Sequence, residues 1–69
     1  MTIQALLKVS RCAWCRVIIY ACGHVASDYG IRTGAEQLEI MRGDMLKATV
    51  RSVTGRGGNV IEIIGILCE

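Results

Sequence analysis

Two short apolar runs, Val17 to Cys22 and Val60 to Leu67, constrain this chain more than any other feature. Both are rich in β-branched residues, which fit a pleated, buried surface better than a helix interior. Neither approaches the roughly 20 apolar residues a helix needs to cross a bilayer. With only 69 residues to work with, the chain has room for one domain whose core is built around these runs. The chain has no Phe and no Pro, so Ile, Val, Leu, Met and Ala must fill that core, and eight glycines supply the turns. Apolar residues make up 52% and charged residues 20%, a globular balance that excludes a disordered tail.

Read along the chain, Ile3 to Ser10 alternates, with Ile3, Ala5, Leu7 and Val9 on one face of an expected first strand. Arg11 to Cys15 is a connection. Arg16 to Cys22 is the clearest strand of the first half and stops at Gly23. His24 to Ile31 continues as a third strand or, alternatively, a helical turn closed by Gly30. Thr33 is placed to cap a short helix from Ala35 to Met41, with Glu36 as its capping-box partner. Met45 to Val53 alternates again, Leu46, Ala48 and Val50 facing one way. Thr54 to Asn59 is a glycine-rich loop. Val60 to Leu67 reads as a strand buried on both faces or set in a subunit interface. There is no internal repeat and no linker. The expected fold is mainly β: a single, five-stranded, partly open barrel of the oligonucleotide-binding type, with one short helix between strands three and four.

Several of these segments resemble a known family. Gln4, Arg16-Val17, Gly23-His24-Val25, Gly43-Asp44 and the alternating Leu46, Ala48, Val50 are similar to bacterial translation initiation factor one, a minimal oligonucleotide-binding barrel. The resemblance implies that barrel and, with it, RNA binding. Where that family carries a basic run at its helix, this chain has the acidic stretch Gly34 to Glu39. Arg16-Val17-Ile18-Ile19, Tyr29-Gly30-Ile31 and Leu38-Glu39-Ile40 also resemble the swapped-hairpin DNA-binding regulators of the transition-state type, which implies an interleaved dimer.

The net charge is +2, and six of the eight basic residues are Arg. Arg is the side chain best suited to bidentate phosphate contacts. In a barrel of this class, ligands lie across strands two and three and between two flanking loops. Those places hold Arg11 and Trp14 in the first loop and Arg56 in the last. Arg16, Tyr20, His24 and Tyr29 lie on or near the face, with Arg51 on the fourth strand. Aromatic rings stack on bases and Arg pairs with phosphate, so single-stranded nucleic acid or RNA is the expected ligand. For Trp14 and Tyr20 the competing role is to complete a core that has no Phe. The apolar last strand also suits a protein-binding regulator or inhibitor. Left unpaired, its edge would invite a homodimer or another partner.

Cys12-Ala13-Trp14-Cys15, followed by Cys22-Gly23-His24, has the composition of a zinc site, with Cys12, Cys15, Cys22 and His24 as ligands. The spacing opposes it, because an extended stretch from Cys15 to Cys22 spans about 20 Å. Without a signal-peptide layout at the N-terminus the expected location is cytoplasmic. There, cysteines are expected as thiols or metal ligands, Cys22 and Cys68 packing as small hydrophobes. No resident cofactor is expected. His24 with Asp28 four residues on does not make an active site, and Gly55-Arg56-Gly57-Gly58 lacks the lysine of a phosphate-binding loop. A non-enzymatic binding role follows.

Overall fold

The computed structural model describes residues 1–9 and 14–68. They form α1 (Ile3–Val9), β1 (Trp14–Ala21), β2 (His24–Arg32), α2 (Gly34–Ile40), β3 (Thr49–Gly55) and β4 (Val60–Cys68), with a 3-10 turn at Gly43–Met45. One four-stranded sheet runs in the order β2-β1-β4-β3. Two antiparallel hairpins, β1–β2 and β3–β4, meet along their inner strands, which pair in parallel from Trp14↔Val60 to Ala21↔Cys68. The mainly-β class matches the sequence reading. The five-stranded barrel does not: the sheet is open and has four strands, and the helix lies between the second and third of them.

The largest discrepancy is in the first segment. The strand expected from Met45 to Val53 is also displaced, to Thr49–Gly55, because Leu46 N, Lys47 N and Ala48 N bond back to Gly43, Asp44 and Met45 carbonyls in a 3-10 turn. Residues 3–9 satisfy both periodicities, because Ile3 and Leu7 are in phase for a strand and also stand one helical turn apart. The helix prevails through its ends and its packing. Thr2 Oγ1 accepts from the Ala5 N–H at 3.2 Å, satisfying one of the donors a helix start leaves open. Ile3 and Leu7 are then buried, whereas Ala5 and Val9, which a strand would turn inward, are exposed. Backbone bonds from Ile3 N to Ala48 O (2.8 Å) and from Val50 N to Met1 O (2.8 Å) tie this start to β3.

The remaining elements follow local signals. Cys22 and Gly23 both have positive φ, 52° and 83°, and join Ala21 to its partner His24 in a two-residue turn. That is the primed geometry whose twist matches a hairpin, and glycine takes it without steric cost. The capping box is present: Thr33 accepts from Glu36 N, and the Glu36 carboxylate accepts from Thr33 N. The last strand is not an edge. β4 is paired on both sides, by β1 and by β3, so the expected exposed hydrophobic edge at residues 59–67 does not exist.

Both helices pack on one face of the sheet. Ile3 and Leu7 from α1 and Met41 just beyond α2 meet Cys15, Val17, Ile19, Ala48 and Ile63 in a core in which each is buried. Gly65 makes that approach close, since a Cβ there would lie 3.0 Å from Ile3 and Ile19 side-chain atoms. Gln37 is also fully buried, its Nε2 donating to Cys15 O and Gly30 O, each at 3.0 Å. It spans β1 and β2 beside the register shift between Arg16 and Ile18, where the ladder is interrupted.

Candidate functional site: the open face of the sheet

Because side chains alternate along a strand, burying Cys15, Val17, Ile19 and Ile63 under the helices sends their neighbours to the opposite face. β1 contributes Trp14, Arg16, Ile18 and Tyr20, and β4 the matching Val60, Glu62, Ile64 and Ile66. From β2, Val25 pairs with Tyr20, Asp28 with Ile18 and Ile31 with Arg16. From β3, Thr49, Ser52 and Thr54 pair with Ile66, Ile64 and Glu62. Among the described residues, no helix or strand packs on this face. Trp14, Val25 and Ile31 are 45%, 55% and 58% exposed, unusual values for large apolar side chains sharing one surface.

The charges on this face are paired within it. Arg16 holds Asp28 bidentately, Nε donating to Oδ1 at 3.3 Å and Nη2 to Oδ2. Gly30 N–H donates to the same Oδ1 at 3.0 Å. The hydrogen bond from Arg16, then the one from the Gly30 backbone, hold the Asp28 carboxyl below its ordinary value, and Asp28 in turn raises Arg16. Arg56, from the β3–β4 connection, reaches Glu62 at 2.7 Å. Arg16, Asp28, Gly30 and Ile31 line a shallow depression of about 440 Å³.

Of the residues singled out in the sequence, Trp14, Arg16 and Tyr20 share this face on one central strand. Neither aromatic joins the helix-covered core; Tyr29 is the aromatic that packs against it. Arg56, in the β3–β4 connection, pairs with Glu62 of this face. His24 is exposed at the start of β2, and Arg51 is exposed where the β3 register shifts. Arg11 and Cys12 lie outside the described residues. Cys15 is buried under the helices, while Cys22 lies in the turn between β1 and β2 and is disulfide-bonded. That bond corrects the reading of Cys22 as a thiol, since a sulfur so bonded offers no thiolate to zinc. Among the described residues, no three His, Cys, Asp or Glu side chains are grouped to hold a metal.

Sequence reasoning missed Asp28 as the partner of Arg16, Glu62 as the partner of Arg56, and the apolar rows of Ile18, Ile64 and Ile66. The alternation of β1 contained the signal, but only the strand order shows that β4 lies beside it.

Comparison with known proteins finds no matching family model, no matching curated protein and no matching solved structure. The fold and the site therefore define the class: a two-layer domain with one face of its sheet closed by helices and the other open.

Proposed function

We propose that this chain is a non-enzymatic binding module that holds a protein partner on the open face of its sheet. One observation carries the reading: large apolar side chains are grouped there around arginines whose charges are already neutralised by Asp28 and Glu62. Such a surface gains by excluding water, and it offers little free positive charge to a phosphate backbone. A photo-reactive side chain introduced at position 25, on the open face, should give protein adducts. The same group at Glu39, on α2, should give none. Equal labelling from both positions would remove the reading.

Nucleic acid is the second reading, favoured by the alternation of Trp14, Arg16 and Tyr20 on one strand. Trp14 is the single tryptophan of the chain and reports directly on occupancy. Its quenching by a mixed-sequence oligonucleotide, collapsing between 50 and 200 mM salt as counterion release requires, would put this reading first. Salt-insensitive adducts to protein would leave it second.

A further inference from the structure

We propose that the occupant of the open face is a second copy of this chain, packed face to face about a two-fold axis running along the seam between β1 and β4. The inference rests on the reading of that face as a protein-binding surface.

Self-association by extending the sheet is opposed at both edges. β2 carries register shifts at two places along its pairing with β1, and such irregularities blunt an edge. β3 shifts register between Val50 and Ser52, and its start is already bridged by Thr2. The face has no such protection. Sheets stack about 10 Å apart with their strands nearly aligned. Because β1 and β4 are parallel neighbours in register, a two-fold axis along their seam lays β1 of one copy over β4 of the other. Ile18 then meets Ile64, and Tyr20 meets Ile66. Arg16 stands over Glu62 of the second copy, so the charged row is self-complementary. A patch of one sign would repel its own image, whereas this one is internally balanced.

The area is adequate for a modest dimer. Four strands at about 4.8 Å and roughly eight residues at about 3.3 Å give a face near 500 Å². Two such faces bury about 1,000 Å² in total, the lower bound for a specific interface. The dimer should therefore be weak, with dissociation in the micromolar range.

Sedimentation equilibrium of the whole chain from about 1 to 500 μM tests this, over a range set by the affinity expected of such an area. The wild type should pass from monomer to dimer. Ile64→Lys, at the centre of the face, should remain monomeric throughout. Val25→Arg, at an already exposed position, should raise the dissociation constant at least tenfold, and circular dichroism should show both variants folded. Val53→Lys, at an exposed position on the outer strand whose partner Ile63 faces the helices, should dimerise as the wild type does. Dimers that survive Ile64→Lys and Val25→Arg but not Val53→Lys would overturn the proposal in favour of edge pairing. A wild type monomeric at 500 μM would overturn it outright. In that case protein adducts from position 25 would keep the open face as a surface for a different protein. Nucleic-acid adducts would transfer it to the second reading, and equal labelling from positions 25 and 39 would remove the protein-binding reading as well.

Discussion

The two faces of the sheet are made from alternate residues of the same strands, yet their chemistry differs. Under the helices, Cys15, Val17, Ile19 and Ile63 are excluded from water by α1 and α2. On the other side, the apolar neighbours Trp14, Ile18, Tyr20 and Ile64 are interspersed with Arg16 and Glu62, and among the described residues no helix or strand covers them. Burial separates a core from a binding surface. Ile63 and Ile64 put this to the sharpest test because they adjoin on β4 and point to opposite faces. Ile63→Ala should cost about 2–5 kcal/mol through lost transfer energy and a cavity the helices cannot fill. Ile64→Ala should cost about 1 kcal/mol or less, because that side chain is only partly removed from water. Urea unfolding of dilute protein would read both, and equal losses would mean that the open face is packed as a core even in the monomer.

Gly65 sharpens the comparison on the same strand. Its Cα faces Ile3 and Ile19 with no room for a side chain, so Gly65→Val should overpack the helix layer and cost about 1–3 kcal/mol. A stability unchanged by this substitution would show that α1 can lift from the sheet without penalty. The expected loss should appear with less protection of the α1 amides against hydrogen exchange, because Ile3 would be displaced first.

How much of this was legible beforehand depends on the range over which each signal acts. The capping box at Thr33 and Glu36 was readable because its physics is contained within four residues. The β-branched runs were readable as strands for the same reason. The segment 3–9 was not, since seven residues with Ile3 and Leu7 in phase for both periods leave the decision to tertiary packing over Gly65. The barrel failed with it, because one strand fewer leaves nothing to close the sheet. At the site, Arg16 and Tyr20 were expected on or near the face from the usual ligand positions of a barrel, and Trp14 was expected in the first loop; the structure places all three on β1. Their neighbours Ile64, Ile66 and Glu62 were not, because the parallel pairing of β1 with β4 joins residues more than forty positions apart. The neutralisation of Arg16 and Arg56, which turns the reading from phosphate toward protein, is visible only in the folded chain.

Smaller effects are expected at the surface. Thr33→Ala should cost about 1 kcal/mol by removing the acceptor for Glu36 N, and the loss should be measurable as a lowered urea midpoint with unchanged slope. A loss of several kcal/mol would instead imply that α2 is held by its cap more than by Gln37 and Leu38.

The smallest effect is the most diagnostic of the open face. Asp28 is held below its ordinary value of 3.8 by Arg16 and Gly30. A carboxyl depressed on folding binds its proton more weakly in the native state, so stability falls as pH falls. Its contribution is complete above 3.8 and is lost as the pH drops through the lower folded value. The pair is exposed, so the loss should be slight, as surface pairs generally are. Carboxyl chemical shifts followed from pH 6 to pH 2 should place the Asp28 midpoint below 3.8, and Arg16→Gln should move it upward. An Asp28 midpoint indifferent to Arg16 would mean that this arginine is free in solution. A free Arg16 beside Trp14 and Tyr20 would be available to a phosphate, and the balance between the two readings of the face would reverse.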